Sequence, residues 1–251
     1  MSVDLFVGIG HGVRPDGVFD PGAVFDAPGS DEDFFEHTKA KAVVEASADA
    51  LARNGVTAFI EQDSGTGHDP NFVGSAKTAN AQDVKLAIEV HLNAGGGTGP
   101  EALCRPGSPA ESFADRCSSL LASALGLPNR GVKHRTDLGF LNGTNMPACI
   151  PEVCFVDTAA DREAFDPIAA GEAIAQAAVE FLGKPFVPND GTSAEFVTRL
   201  KVRTLDGNLT REMSLPEALD MLEARVRSHQ EQVKETGEPL EWGLRLVRRE
   251  G

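Results

Sequence analysis

No apolar run in the 251 residues approaches the roughly 18 that a membrane-spanning helix needs, so no transmembrane segment is expected. Nor is there a basic flank followed by an apolar core, the mark of a secretory signal; "DLFVGIG" starts almost at once and reads as a first strand. The expectation is synthesis in the cytoplasm, with any exit by another route. Basic residues are scarce, 23 against 38 acidic, for a net charge of −15. Residues 185–251 hold 10 basic and 12 acidic residues, which leaves 13 and 26 in residues 1–184, a net of −13 there. This acidity argues against nucleic acid as the partner, because a polyanion requires a basic surface. The four cysteines, Cys104, Cys117, Cys149 and Cys154, form no C-x-x-C pair, so a zinc knuckle or dithiol redox motif is excluded. Reduced, semi-buried thiols are the expectation in a cytoplasmic chain. No H-E-x-x-H, internal repeat or low-complexity segment occurs. Any metal centre must therefore gather its ligands from distant parts of the chain.

What is present is an ordinary globular composition, 41% hydrophobic, in a chain long enough for one large domain or one of moderate size with a small addition. Short strand-like runs, "DLFVGIG" (4–10), "VTAFIE" (56–61), "LAIEVHL" (86–92), "EALCR" (101–105) and "CIPEVCF" (149–155), alternate with helical ones. Between the first two lies residues 35–55, where Ala40, Val43, Val44, Ala48 and Leu51 follow helical spacing and Gly55 sits where a C′ glycine belongs. "SPAE" predicts a helix start with Ser108 as cap, Pro109 in the first position and Glu111 completing a capping box. That helix would carry Phe113, Cys117, Leu120, Leu121 and Ala124 inward and stop at Gly126. A third helix is predicted over 168–183. The alternation implies an α/β fold: a largely parallel, twisted sheet with helices on both faces.

The texture changes after residue 183. Residues 184–193 have turn residues without periodicity and read as a linker between a domain at 1–183 and a small α+β unit at 194–251. In "FVTRLKVRT", Phe196, Leu200 and Val202 alternate with Arg199, Lys201 and Arg203, and Asp206-Gly207 is a hairpin signal. "SLPE" reads as a capping box ahead of a helix with Leu215, Leu219, Leu222 and Val226 on one stripe, and "LEWGLRLV" as a last strand. The tail is therefore expected to be a ββαβ unit whose outer face is basic, with Arg199, Lys201, Arg203, Arg245 and Arg249.

Four residues stand out chemically. His91 ends an apolar strand and is followed by Asn93 and three glycines; His11 sits in "GIGHG" after the first strand. The carboxyl ends of strands in such sheets are where sites are built. Glu36 begins the long helix, and Glu152 lies inside the apolar "CIPEVCF", where an unpaired carboxylate is costly. Taken singly, His11 reads as a loop histidine, Glu36 as a first-turn glutamate and Glu152 as a salt-bridge partner. Together they are harder to explain by separate bland roles, and a catalytic zinc site wants three N/O ligands plus water with a separate carboxylate nearby.

Residues 3–183 resemble the zinc-dependent N-acetylmuramoyl-L-alanine amidases of the type 3 family. The resemblance rests on "GHGVRPDGVFDPGA", "FFEHTKAKAVVEASADALARNGV", "LAIEVHLNA" and "NRGVKHRTDLGFLNGTNMPACIPEVCF", in that order. It implies cleavage of peptidoglycan, with His11, Glu36 and His91 holding Zn2+ and Glu152 as the catalytic carboxylate. Asn93 would orient substrate, and Gly95 to Gly97 would leave room for a bulky glycan-peptide. His37, beside Glu36, competes as a ligand, but adjacent helical residues point about 100° apart, so one should face the site; Glu36 is favoured. His68, His134 and His229 read as surface or structural. The chain departs from the pattern at Gly8-Ile9-Gly10, where the family has Asp-Pro-Gly, at Ser75, where an arginine is usual, and at Glu89, where the residue is often small or β-branched. A domain of this kind made without a signal and carrying an added unit resembles a phage endolysin, acting on the wall after release. The rival readings are another zinc hydrolase of carboxypeptidase type, which the absence of H-x-x-E disfavours, and a non-catalytic wall-binding protein, which predicts a damaged site.

Overall fold

The computed structural model describes residues 3–13, 17–26, 33–61 and 74–189, and the strands at 200–203 and 209–213. The chain divides into two compact units, Met1–Pro188 and Asn189–Gly251.

The first unit is built on six strands. β1 (Leu5–Ile9) is buried at every position, the signature of a strand covered on both faces. Two short hairpins follow, β2 (Gly12–Val13) with β3 (Phe19–Asp20), and β4 (Val24–Phe25) with β5 (Phe34–Phe35). Then come α1 (Glu36–Arg53), β6 (Ala58–Ile60), α2 (Gly74–Asn80), β7 (Leu86–Asn93), β8 (Glu101–Cys104), α3 (Glu111–Leu125) and β9 (Val132–His134). The unit closes with α4 (Gly139–Gly143), β10 (Ala148–Phe155), α5 (Ala159–Ala164) and α6 (Pro167–Phe181). The strand order is β6-β1-β7-β10-β8-β9, parallel throughout except for the β10–β8 pair. The sheet is thus largely parallel with helices on both faces, as the alternation of strands and helices predicts.

Strand alternation sorts the side chains into two cores of unequal reach. Leu5, Val7, Leu86, Ile88, Val90, Leu92, Cys149 and Val153 pack with α1, α3 and α6 in one continuous cluster. The opposite parity, Phe6, Ala87, Ala148 and Ile150, packs with Ala76 and Ala79 of α2 and with Phe140 and Leu141 of α4. This second core stops partway along the strands. Continuing at the same parity toward their carboxyl ends come Glu89, His91 and Glu152.

Local expectations hold unevenly. Gly55, just past α1, is left-handed at φ 64°, and α3 ends on Gly126 at φ 65°. The predicted capping box of α3 is absent: the helix starts at Glu111, and the Ser108 hydroxyl instead accepts from the Ala110 amide within a preceding turn. Ala124 is exposed rather than inward. α6 is capped by Asp166, whose carboxylate accepts from the amides of Ile168 and Ala169, with Pro167 in the first turn. All four cysteines are free and buried; Cys104 and Cys149 are cross-strand partners, and burial pushes the Cys154 thiol up to about 12. Within the second unit, β11 (Leu200–Arg203) and β12 (Leu209–Met213) form an antiparallel pair with Leu200 opposite Met213. The helix and last strand expected after them lie outside the described residues.

Candidate functional site

The carboxyl ends of β1, β7 and β10 share one edge of the sheet, and the start of α1 is brought to it. After Ile9 the chain turns through Gly10, whose amide donates to Val90 O, into His11 at φ 62°. A non-glycine residue in the left-handed region is uncommon, and such positions cluster at functional sites. Phe35 caps α1 without a side-chain hydrogen bond; the first amides of the helix, Glu36 and His37, donate to the carbonyls of Ala23 and Pro21 instead. The "DPGA" loop therefore fixes where the helix begins. Its Gly22 is required twice: φ is 71°, and a Cβ there would lie 2.5 Å from a Glu36 oxygen.

Glu36 sits at the centre. One carboxylate oxygen accepts from Ala23 N at 2.8 Å and lies 3.3 Å from His11 Nε2. The other accepts from Leu92 N at 3.1 Å and lies 2.9 Å from His91 Nδ1. Burial alone would raise this carboxyl, but the two imidazoles hold it well below the usual carboxylate range. His11, Glu36 and His91 each offer a ligand atom within 4.8 Å of the others, the one such group among the described residues. The outer nitrogens also face carboxylates: His11 Nδ1 is 3.2 Å from Asp20, and His91 Nε2 is 3.1 Å from Glu89.

Glu152 is the register partner of His91 on the neighbouring strand. Its Oε2 is buried and has no hydrogen-bond partner. Burial raises the carboxyl to about 7, against the lowering effect of His91. A cleft of about 280 Å³ opens here, lined by His11, Glu89, His91, Arg135, Phe140 and Glu152 among others. Arg135 is held in a two-point pair with Asp137 at its rim.

The sequence pattern described as N-acetylmuramoyl-L-alanine amidase matches residues 5–184. The chain belongs to this family. Among curated relatives of this amidase domain, the N-acetylmuramoyl-L-alanine amidase CwlM of Bacillus licheniformis is 31% identical over 110 residues, 43% of this chain and 43% of that protein. The chain spans less than half the length of the curated relatives it matches. Among solved structures, the catalytic domain of the amidase CwlV from Bacillus (Paenibacillus) polymyxa var. colistinus superposes with a TM-score of 0.62 at 22% identity, covering 74% of this chain and 100% of that one. The catalytic domain of the CD27L endolysin, which targets Clostridia difficile, gives 0.59 at 21%, covering 74% and 99%. At these identities the likeness shows a shared fold.

The amidase domain thus brings together His11, Glu36, His91 and Glu152. Asn93 lies apart: its amide donates to Glu101, its oxygen accepts from Ala94 N, and it does not line the cleft. His37 turns away, donating from Nδ1 to the Gly10 carbonyl with its ring edge against Phe19. Of the three glycines, Gly95 and Gly96 border open space and Gly97 does not. Gly95 and Gly96 donate their amides to Asp157, and a Cβ on Gly97 would run into the Phe155 ring. His134 pairs with Glu111 on the surface, and His68 and His229 lie outside the described residues. The sequence reading assigns no site role to Asp20 or Glu89. The signal for Glu89 was available, since it precedes His91 by two in a strand and so shares its face.

Proposed function

We propose that this chain is a zinc-dependent peptidoglycan hydrolase that cleaves the amide between N-acetylmuramic acid and L-alanine. The observation that carries the reading is Glu152: a half-buried glutamate whose buried Oε2 has no partner, beside a His–Glu–His donor set. The family match supports the substrate class.

The residues fit zinc. Two imidazoles and one carboxylate are the donors that catalytic zinc sites use, with room left for water and substrate. The site is also short of positive charge: among the described residues, no lysine or arginine forms an ion pair with Glu36, Glu89 or Glu152, and the Arg135 that shares the cleft is paired with Asp137. His11, Glu36 and His91 would hold the ion. Bound there, it supplies a Lewis acid for the amide carbonyl and lowers the pKa of water at neutral pH.

The remaining chemistry belongs to the chain. Glu152 Oε2, free of other partners, takes the proton of the attacking water and returns it to the departing amine nitrogen. Its carboxyl, raised by burial, is matched to taking and giving a proton near pH 7. Phe140 and Ile150 give the cleft an apolar wall that excludes water, and Arg135 presents a cation to the carboxylates of a stem peptide. The wall-facing setting of an endolysin and the wall-binding or oligomerising role of residues 194–251 are parts of the same proposal.

Metal analysis combined with mass spectrometry of digested walls tests it. The expected outcome is about one zinc per chain and the appearance of free stem peptides with intact lactyl groups on the glycan. Cleavage within the stem peptide would mark a carboxypeptidase-type hydrolase, and binding without products a wall-binding protein.

A further inference from the structure

His91 is gripped at both nitrogens. Nδ1 faces Glu36 at 2.9 Å and Nε2 faces Glu89 at 3.1 Å. A neutral imidazole carries one N–H, so an Nδ1 that offers its lone pair inward leaves the proton on Nε2, which then needs an acceptor. Glu89 supplies that acceptor. Its side chain is only 7% exposed, and among the described residues no lysine or arginine neutralises it. A carboxylate in that position is costly unless a donor satisfies it. Strand parity puts Glu89 and His91 on one face of β7, and the strand beside them has given up its side chains. Gly8 is the register partner of Glu89, and a Cβ at Gly10 would lie 2.5 Å from the His91 ring. The imidazole therefore occupies the space above Gly10, while the Phe6 ring and a Glu61 carboxylate oxygen lie nearest the place a Cβ on Gly8 would take. Gly8 and Glu89 are both positions where the chain departs from the pattern it resembles.

The geometry points to Glu89 as the positioning residue of the metal centre, fixing His91 as the Nε2–H tautomer so that Nδ1 is presented to the ion. The inference rests on the reading of His11, Glu36 and His91 as ligands. Asp20 does the equivalent at His11 from the exposed side, at 3.2 Å, but its side chain is 37% exposed and water competes for the same nitrogen. Glu89 is far less exposed, at 7% of its side chain, so water is a poorer substitute for it.

The test uses the full chain and the substitutions Glu89→Gln, Glu89→Ala and His91→Ala, read by zinc competition against a chromophoric chelator and by nitrogen-15 NMR of the histidine rings. Loss of such a partner weakens metal affinity by about 10- to 100-fold. Glu89→Gln keeps the shape and one acceptor and should fall at the low end of that range, Glu89→Ala at the high end. With zinc bound, wild-type His91 should show a single Nε2–H tautomer with slow proton exchange; the zinc-loaded Glu89→Ala variant should show fast exchange or a tautomer mixture. Unchanged zinc affinity and an unchanged His91 ring spectrum in Glu89→Gln and Glu89→Ala would overturn the proposal, as would a lowered melting temperature of the metal-free protein with no change in zinc affinity. Failure of the ligand reading has a different signature: wild type and His91→Ala would bind zinc equally, or neither would bind it.

Discussion

Glu152 stands directly opposite His91 on the adjacent parallel strand, with its buried oxygen Oε2 free of any partner. The substitution Glu152→Gln keeps the volume and removes the base. It should retain zinc and the fold while losing a factor of about 10² to 10⁴ in turnover, the usual contribution of general acid–base work. Because the carboxyl lies at about 7, activity should rise with pH toward neutrality as Glu152 deprotonates. A dication beside it favours the carboxylate and moves this limb below 7. The limb should vanish in the Gln variant. Loss of metal or of folding by that variant would make Glu152 a ligand or a structural residue instead.

His91→Ala should abolish stoichiometric zinc, since His11 and Glu36 alone are too few to hold it against water. Metal analysis after dialysis checks this. A variant that keeps one zinc per chain removes His91 from the site.

Glu61 gives the first unit a pH-dependent stability. Burial, opposed by the hydrogen bond from Ser75 and reinforced by Glu89, raises its carboxyl to about 7 from the ordinary 4.5. The folded state therefore binds this proton more tightly than the unfolded chain. The resulting stability is complete below about pH 4.5 and is lost as pH rises through 7. At about 1.4 kcal/mol per unit, the loss is at most about 3 kcal/mol. Glu61→Gln cannot ionise, so its advantage over wild type should grow between pH 5 and pH 8. Urea unfolding of the two metal-free proteins measures it; a constant difference would show that Glu61 is ionised throughout.

Gly97→Ala should destabilise the first unit by about 1–3 kcal/mol, the cost of forcing a methyl into a filled site, because the new Cβ meets the Phe155 ring. If the glycines served to make room for substrate, the same change would alter substrate affinity and leave thermal stability unchanged.

Deleting residues 188–251 should spare zinc binding and cleavage of small soluble muropeptides. It should weaken sedimentation with intact walls in low salt if, as proposed, the basic residues of the tail offset repulsion from a front segment of net −13. Unchanged sedimentation rules out wall binding by the tail, and unchanged mass by light scattering rules out dimerisation.

The sequence alone marked five of the six strands of a largely parallel sheet and the four chemically conspicuous residues, but not the order of the strands. Parallel strands covered on both faces must be apolar almost throughout, so "LFVGI" and "LAIEVHLN" stand out, and a histidine or glutamate inside such a run is conspicuous because its burial is costly. The helix of α1 was equally legible, since its periodicity spans five turns and ends on a glycine. The short hairpins β2–β5 and the helices α2, α4 and α5 carry too few residues to show a period, and tertiary contacts alone set them. Composition could not tell the three glycines apart: only the fold brings Asp157 to the amides of Gly95 and Gly96, which still border open space, and Phe155 onto Gly97. In the same way Asn93 looks like a site residue by its place beside His91, yet alternate positions near a strand end diverge, and Glu101 on β8 takes its amide. Above all, the role of Glu89 was undecided until strand register set Gly8 beside it and rotamers put its carboxylate on His91 Nε2. Periodicity fixes which face a residue occupies; which neighbour it meets there depends on the pairing of strands far apart in the chain.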